Sequence, residues 1–362
     1  MDVRLERLEV IPYSLPFREL YATASGQLTE RELILVRIRA EGLEGLGETA
    51  SLSLRGGPGV ARIAREIEGV CWPALRDGGL DPGRIWSALA RCRSRGAGPE
   101  ATAAVDVALH DLAAKAAGVP LWRFLGGVSG DPVKCNATLP AANPATLRGL
   151  AERWLAEGFD TFKLKAGLPG DVAQVATVRE LVGPEAKIRV DANGAWTVDE
   201  ATRRLEAIAR HDLELAEQPV NGLEELAEVR RRSGVRISAD EDIAGTRDAR
   251  RAYELRSCEL ANAKLAKVGG IAVTLEIAGL IPTYVSSALE GPVGIAAAAH
   301  AVQALPLRGT ASEPAHGLAT ERLFSETVGR GLELVGHSLV LTDEPGLGVA
   351  LDDAALAARR LR

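Results

Sequence analysis

The chain lacks the features that mark secreted, membrane-spanning or metal-thiolate proteins. Its four cysteines are scattered, with no CxxC pair and no histidine at zinc spacing, which predicts reduced, structural thiols. No apolar run reaches the roughly 18 to 20 residues of a membrane helix. The first residues lack the charged start and apolar stretch of a signal peptide. We therefore expect a cytoplasmic protein with no membrane partner.

The chain also lacks a basic stripe, and it has little lysine. Acids and bases are mixed at a net charge of −6, with no run of basic residues long enough to follow a phosphate backbone, so nucleic acid is not an expected partner. Only seven of its 43 basic residues are lysine. Four of these seven fall in two motifs, "DTFKLKAG" at 160–167 and "AKLAKVGG" at 263–270. Lysine chemistry is therefore indicated at these two places.

The length of 362 residues, 46% of them apolar, suits one large domain and a smaller one. Residues 1–125 read as strands followed by helices, an α+β module, and residues 321–362 return to a strand-rich pattern that packs back on it. Residues 126–320 alternate short apolar strands with amphipathic helices, which favours a parallel barrel. The eight predicted strands are VKCNATL, DTFKLKA, KIRVDAN, LELAEQP, RISADED, CELANAKLAK, PTYVSSALE and LRGTASE. One crossover, "VGGIAVTLEIAGLI", leaves room for a helix of only two to three turns.

Charged side chains follow the second to sixth predicted strands, where each strand ends. The carboxyl ends of parallel barrel strands meet at one face. Three successive strands deliver carboxylates, and the strands on both sides of them deliver lysines. In strand order these residues are Lys163 and Lys165; Asp191 and Asn193; Glu217; Asp240, Glu241 and Asp242; Lys264 and Lys267.

Three carboxylates without histidine or cysteine form a site of hard oxygen ligands, which predicts Mg²⁺ with Mn²⁺ as a possible substitute. Such an ion can hold a substrate carboxylate and stabilise the charge that develops when the neighbouring carbon loses a proton. Lysine can be the base, whereas arginine stays protonated. Lys163 and Lys165 face the same way on an extended strand, and their mutual repulsion is expected to lower a lysine pKa. Lys264 and Lys267 are expected on opposite sides, with Lys264 inward.

Together the motifs KLK, DANGAW, EQP, ADED and KLAKVGG resemble the muconate-lactonizing-enzyme subgroup of the enolase superfamily, over essentially the whole chain. The resemblance implies an α/β fold, a (β/α)₇β modified TIM barrel with an α+β capping domain built from both ends of the chain. It implies Asp191, Glu217 and Asp240 as metal ligands. It also implies Lys165 and Lys264 on opposite faces of the substrate. We further expect Lys163 to act beside these lysines and Glu241 to lie behind the metal ligands. The subgroup often reads ADES where this chain reads ADED.

Within the subgroup, "YVSSALEGPVGIAAAAHAVQAL" and "PAHGLATERLF" resemble the o-succinylbenzoate synthases of menaquinone biosynthesis. The Asp-x-Asp with which dipeptide epimerases often hold a substrate ammonium is missing from "LRGTASEPAHG". The loop over 21–26 carries no basic residue, and strand 7 offers no charged clamp, so we expect a loosely specified pocket. N-succinylamino acid racemase, dipeptide epimerase and muconate cycloisomerase are the alternatives. The expected substrate-binding residues are Asn193, Ser286, Ser287, Gly291 and Tyr21.

Several local alternatives stay open from sequence. Ser286 and Ser287 either bind a substrate carboxylate or cap the helix that begins near Pro292. Glu290 is expected to face solvent. The loops over 21–26 and 52–57 suit either a movable lid or ordinary hairpin turns. A Schiff-base aldolase and a non-catalytic barrel are the rival classes. The expected partners are a small-molecule carboxylate and further copies of the chain.

Overall fold

The computed structural model describes residues 4–23, 26–53, 56–78, 84–140, 142–168 and 170–361. Residues 24, 25, 54 and 55, which belong to the two predicted cap loops, lie outside this part of the chain. Within it, no helix is both long and apolar enough to cross a membrane. All four cysteines are free, and three of them are buried, as the sequence predicts.

The first part of the chain forms an antiparallel sheet in the order β1-β2-β3. Its strands are β1 (Arg7–Thr23), β2 (Gly26–Ala40) and β3 (Leu43–Ala50). Successive side chains of a strand point to opposite faces. One face of this sheet carries Leu33 and Leu35 into the core that it shares with the barrel. The opposite face carries Ile34 and Val36 into a second core beneath helices, so the sheet is buried on both sides.

Helices cover the face of the sheet that points away from the barrel. They are α1 (Val60–Glu66), a π-helical turn (Ile67–Cys71), α2 (Trp72–Gly78), α3 (Ile85–Ser94), α4 (Pro99–Ala116) and α5 (Leu121–Phe124). The alanine-rich α4 lies directly against β3, where Gly45 and Gly47 have no side chain to hold it off. A Cβ on Gly47 would come within 1.9 Å of the Ala104 carbonyl oxygen. The α+β cap predicted from sequence is confirmed.

A seven-stranded parallel sheet in the order β11-β10-β9-β8-β7-β6-β5 forms the second part. Its strands are β5 (Ala137–Leu139), β6 (Thr161–Lys165), β7 (Lys187–Asp191), β8 (Leu213–Glu217), β9 (Ile237–Ala239), β10 (Leu260–Ala263) and β11 (Thr283–Val285). The connecting helices are α6 (Pro144–Ala156), α7 (Asp171–Val182), α8 (Val198–Ala209), α9 (Leu223–Ser233), α10 (Thr246–Leu255), α11 (Leu265–Val268) and α12 (Ile271–Ala278). Helix α13 (Pro292–Val302) follows β11. The crossover after β10 is short, as predicted, because α12 has eight residues.

The ring of strands closes at a different place from the one predicted. LRGTASE, expected as the eighth strand, lies in turns after α13. The closing element is the pair His316 and Gly317, which bridges Cys135 on one side and Ser286 on the other in the parallel sense. Gly317 can pass there because it has no Cβ, which would lie 2.4 Å from Ser286 Oγ. The (β/α)₇β barrel with its capping domain is confirmed, with a two-residue closing bridge.

The end of the chain returns to the cap. A 3₁₀ turn (Glu321–Leu323) is followed by β12 (Gly329–Arg330), β13 (Glu333–Val335), β14 (Ser338–Val340), β15 (Ala350–Leu351) and α14 (Asp353–Arg359). Phe324 and Arg360 form bridges to Phe17 and Tyr13 of β1. β14 pairs with the short strand β4 (Val133–Lys134) that leads into the barrel, so the predicted strand VKCNATL is divided between two sheets.

The close approach of α4 to β3 can be tested with Gly47→Ala. The added methyl group would meet the backbone of α4, which cannot move aside as a flexible side chain could. We expect the free energy of unfolding to fall by about 3 kcal/mol or more, at the upper end of overpacking costs. Urea titration of the purified protein measures it. Gly149→Ala, in open space on α6, is the matched control and should raise stability by about 0.5 to 1 kcal/mol. Equal stability of the two variants would contradict this packing.

Candidate active site

A cavity of about 110 Å³ lies between the cap and the carboxyl ends of the barrel strands. The cap contributes Tyr21, Leu28, Arg31 and Leu52 to its lining. The barrel contributes Thr138, Lys163, Lys165, Lys264, Lys267, Ser286, Ser287, Ala288, Leu289, Gly317 and Thr320. The predicted lysines and serines therefore share one cavity with Tyr21. This is the face at which barrel enzymes hold their catalytic groups.

Three carboxylates lie beneath the cavity on adjacent strands. Asp191 is the last residue of β7, Glu217 is the last residue of β8, and Asp240 directly follows β9. Asp191 pairs in register with Glu217 on one side and with Lys165 on the other. All three carboxylates are fully buried. Burial of an unpaired charge is costly, so each carboxylate needs a cation.

Four lysines supply these cations. Lys163 Nζ lies 2.9 Å from Asp191 and 2.7 Å from Glu217, and so bridges two strands. Lys165 Nζ donates to Asp191 Oδ2 at 2.6 Å. Lys264 and Lys267 both donate to Asp240, the second at 2.7 Å to Oδ1. Lysine suits the bridging position of Lys163 because a single compact ammonium can approach carboxylates on two strands at once.

The ion pairs shift the pKa values of their members in opposite directions. Burial alone would raise the pKa of Asp191, but Lys163 and Lys165 outweigh it and hold that pKa below its usual range. Burial alone would lower the pKa of Lys163, but Asp191 and Glu217 outweigh it and raise that pKa well above normal. The lowered lysine pKa expected from sequence is therefore wrong at Lys163, because two carboxylates lie within ion-pair distance of it.

The donor set at the strand ends fits a hard divalent cation by chemistry and placement. All three groups are carboxylates, and they stand on neighbouring strands that open into the same cavity. In the lysine-paired arrangement, no three acidic, histidine or cysteine side chains of the described residues converge closely enough to hold a metal ion. A bound ion would therefore have to displace lysine ammonium groups from the carboxylates.

Glu217 is held by groups that the sequence did not single out. Tyr284 Oη donates to its Oε2 at 2.6 Å, and Asn262 Nδ2 donates to its Oε1 at 2.9 Å. The ring of Tyr284 in turn lies 5.1 Å from the guanidinium carbon of the fully buried Arg189. These residues fill the barrel interior below the site, so the position of Glu217 is fixed from underneath.

Two residues that follow the carboxylates have left-handed backbone, which is unfavourable for side chains other than glycine. They are Asn193 (φ 48°) and Gln218 (φ 38°). Asn193 accepts from Lys165 Nζ at 3.2 Å and donates to Glu241 Oε1 at 3.0 Å. Gln218 Oε1 accepts from the Asp240 amide at 2.8 Å. Asn193 and Glu241 thus form a layer around the site, although neither lines the cavity.

The prediction that only one of Lys264 and Lys267 faces inward is wrong. It assumed that the strand continues, but β10 ends at Ala263 and α11 begins at Leu265. Residues three apart in a helical turn lie on the same side. Both lysines consequently reach Asp240 and line the cavity. The nearby Gly269-Gly270 pair hinted at this turn in the sequence.

The loop after β11 contains four residues whose roles were predicted from sequence: Ser286, Ser287, Glu290 and Gly291. Helix α13 has Gly291 as its N-cap and no side-chain cap, so Ser286 and Ser287 do not cap it; both line the cavity. Gly291, expected to bind substrate, instead lies where a Cβ would meet Tyr13 Oη at 2.7 Å. Glu290, expected to face solvent, is buried, and its Oε2 accepts from the Ala288 amide at 2.6 Å.

The cap also supplies a charge that the sequence did not indicate. Arg31 of β2 is 6% exposed, lines the cavity and donates from Nη2 to the Ala288 carbonyl oxygen at 2.7 Å. The pocket therefore has a basic residue on its cap side, although the loop over 21–26 has none. The period-2 alternation that places Leu33 and Leu35 toward the barrel places Arg31 there too. This alternation is the sequence feature from which the inward orientation of Arg31 could have been predicted.

Comparison with known families matches both parts of the chain. Residues 9–126 match the mandelate racemase / muconate lactonizing enzyme N-terminal domain, and residues 146–355 match the enolase C-terminal domain-like family.

Curated relatives carry different activities. A hydrophobic dipeptide epimerase of Enterococcus faecalis is 32% identical over 82% of this chain and 86% of its own. An N-succinylamino acid racemase of Thermus thermophilus is 32% identical over 96% of this chain and 95% of its own. An o-succinylbenzoate synthase of Thermobifida fusca is 39% identical, over 55% of this chain and 62% of its own. Relatedness alone therefore does not choose the substrate.

Solved structures agree with this fold. The muconate lactonizing enzyme of Pseudomonas fluorescens, complexed with muconolactone, has a TM-score of 0.93 at 28% identity and covers both chains completely. The dipeptide epimerase of Enterococcus faecalis, complexed with Mg and L-Leu-L-Tyr, has a TM-score of 0.89 at 29% identity, over 97% of this chain and 100% of its own. The chain is an enzyme that belongs to the enolase superfamily, in its muconate-lactonizing-enzyme subgroup.

Proposed function

We propose that this enzyme is an o-succinylbenzoate synthase, which dehydrates 2-succinyl-6-hydroxy-2,4-cyclohexadiene-1-carboxylate to o-succinylbenzoate. The observation that carries the proposal is the charge of the cavity. Among the described residues, its lining has five cationic side chains and no acidic one. Four of these cations share the three buried carboxylates beneath the cavity, and Arg31 adds a fifth, so positive charge is in excess. The proposed substrate bears two carboxylates, and such an excess favours a dianion.

The same charge argues against a dipeptide substrate. A dipeptide brings an ammonium group, which needs an acidic or carbonyl partner once it is removed from water. The described lining residues offer no carboxylate for it, and Asp191, Glu217 and Asp240 are already paired with lysines beneath the cavity. Because its relatives include dipeptide epimerases, dipeptide epimerisation is an alternative activity to be measured.

Asp191, Glu217 and Asp240 would hold Mg²⁺, as the Mg complex of the related dipeptide epimerase suggests. When bound, the ion supplies positive charge next to a substrate carboxylate, where negative charge grows as the α-proton leaves. Lys163, which pairs with Asp191 and Glu217, would add a further basic group beside these ligands. Asn193 and Glu241 orient the surrounding groups through their hydrogen bonds.

Lys165 and Lys264 have separate tasks in the proposed dehydration. Lys165 removes the α-proton and returns a proton to the departing hydroxyl group, so that one residue serves as base and then as acid. Lys264 remains charged and stabilises the enediolate electrostatically. Tyr21, Ser286 and Ser287 bind the remainder of the substrate in the cavity. Because the reaction forms an aromatic ring, it is strongly favourable and needs only this modest positioning.

N-succinylamino acid racemisation is the second candidate. It is favoured by the placement of Lys165 on β6 and Lys264 after β10, two strands separated by three others in the curved sheet. Both lysines line the cavity, so each could exchange a proton on its own face of a substrate. The two reactions share their first step, and the same site can support both.

The metal proposal predicts that Mg²⁺ stabilises the folded protein and that activity requires it. At a concentration of 100 times the Kd, the ion should raise the free energy of unfolding by about 2.7 kcal/mol. Thermal unfolding with and without MgCl₂ measures this. Asp191→Asn, Glu217→Gln and Asp240→Asn should each abolish activity and weaken the stabilisation. The matched control is Asp199→Asn, at an exposed side chain on α8. Full activity in excess chelator would contradict the proposal; activity retained only in Asp240→Asn would move the third ligand to Glu241.

The two-lysine arrangement can be tested with Lys264→Arg. Arginine keeps the charge but does not act as a base at neutral pH. Given resolved N-succinylamino acid enantiomers in D₂O, the variant should exchange the α-proton of one enantiomer without inverting it, as followed by NMR. Lys165→Arg should exchange only the other enantiomer. If either variant loses exchange with both enantiomers while remaining folded, the lysines do not act independently on opposite faces.

The choice of reaction rests on a comparison of kcat/KM values. We expect dehydration to exceed about 10⁴ M⁻¹s⁻¹, the range of enzymes acting on their own substrates, and racemisation of N-succinylamino acids to be slower. Both reactions are followed with the same preparation and the same Mg²⁺ concentration. A synthase value orders of magnitude below that level, with a dipeptide or N-acylamino acid above it, would replace the synthase assignment.

A further inference from the structure

Arg31 is the one cationic side chain that the described part of the cap contributes to the cavity lining. The four lysines of that lining all belong to the barrel, on β6 or in the turn into α11, and each donates to a buried carboxylate. Arg31 enters from the other side, from β2, where it pairs in register with Leu15. The lining of the cavity therefore carries positive charge from both domains.

The immediate surroundings of Arg31 hold it in place. Its Nη2 donates to the Ala288 carbonyl oxygen at 2.7 Å, and Ala288 itself lines the cavity. Burial raises the pKa of the nearby Glu290 carboxyl, and Arg31 opposes that rise. Glu290 Oε2 also accepts from the Ala288 amide. The guanidinium group is thus fixed against the loop after β11 and does not depend on a movable lid.

A second polar group lines the same cavity. Ser286 is 5% exposed and lines the cavity. Its Oγ is buried and has no hydrogen-bond partner among the described residues. The neighbouring Ser287 differs, because its Oγ is engaged with Thr320 Oγ1 at 2.6 Å. A buried hydroxyl that lacks a partner is costly, and a ligand oxygen would satisfy it.

We propose that Arg31 is a specificity-determining residue that receives the distal carboxylate of the substrate, with Ser286 Oγ donating a further hydrogen bond to it. The inference rests on the proposed function and names the substrate class, a dicarboxylate whose first carboxylate lies beside the barrel lysines. A guanidinium offers paired donors in the geometry of a carboxylate. An acyl chain that ends in a methyl group would leave the Ser286 hydroxyl without a partner and would bring no charge to the Arg31 guanidinium.

The test compares ligands that differ only at the distal carboxylate. Binding of o-succinylbenzoate and of 2-butyrylbenzoate, in which a methyl group replaces that carboxylate, is measured by calorimetry on the Mg²⁺-loaded protein. N-succinyl- and N-butyryl-phenylalanine form a second pair. We expect the wild-type protein to prefer the dicarboxylate of each pair by roughly ten- to hundredfold, the range of a charge-assisted hydrogen bond.

Arg31→Gln removes the positive charge and keeps a side-chain amide that can donate a hydrogen bond. We expect this variant to lose the preference for the dicarboxylates while its affinity for the butyryl ligands stays within about twofold. Arg31→Lys, which keeps the charge, should retain part of the preference. Arg39→Met, an exposed position on the same strand that pairs with Glu44, is the control and should leave the preference unchanged. Thermal unfolding of each variant verifies its fold.

The possible results separate this proposal from the proposed function. A preference that is lost in Arg31→Gln and kept in Arg39→Met supports the role of Arg31. An equal loss of affinity for both members of a pair would overturn it, because Arg31 would then only hold the loop after β11. A wild-type protein that binds both members equally would also overturn it. If the wild-type protein binds neither pair but turns over dipeptides, the proposed function and the role of Arg31 both fail.

Discussion

The structure depends on keeping three carboxylates fully buried at the mouth of the barrel. Isolated charges cannot remain there, since removing an ion from water costs several kcal/mol even after the protein relaxes. Lysines on the flanking strands offset this cost, and Lys163 does so for two carboxylates at once. A parallel sheet brings the ends of its strands to one level, so the pairing follows from the register of Lys165, Asp191 and Glu217. The cap is then needed to exclude water from the ion pairs and strengthen them.

The cap can cover this site because its sheet is buried on both faces. On the outer face, Gly45 and Gly47 allow α4 to approach β3 closely. On the inner face, the alternation that points Leu33 and Leu35 at the barrel also points Arg31 at the cavity. At the junction between the domains, Glu48 accepts from Tyr13 Oη and from the Gly294 amide. Burial raises the pKa of Glu48 to about 8, so this carboxyl group keeps its proton near neutral pH and adds no negative charge beside the site.

Much of this arrangement could be predicted from the sequence, because it depends on local patterns. Strand ends are visible as apolar runs followed by charged residues, which located the carboxylates and lysines. The predictions that were wrong concern residues whose surroundings are set by distant parts of the chain. Lys267 faces inward because the chain turns from strand to helix after Ala263, and Glu290 is buried because the cap covers its loop. Arg31 has no neighbouring motif, and only the docking of the cap reveals what it faces. The barrel closes through His316 and Gly317, a bridge too short to leave a periodic signal.

The residues that line the cavity come from two domains, the barrel and the cap. In the proposed reaction, the barrel supplies the lysines and carboxylates that act on the carbon next to a carboxylate, and the cap would face whatever the substrate carries beyond that carbon. Proton abstraction is common to a lyase, a racemase and an epimerase, so related barrels can serve all three. What distinguishes their substrates is the group at the far end, which is a carboxylate in one case and an ammonium in another. If Arg31 receives the distal group as proposed, a change of charge at that one cap residue would alter which substrates are accepted without altering the proton-transfer step. Substrate class in this enzyme should therefore follow the charge that the cap presents more closely than overall similarity to relatives.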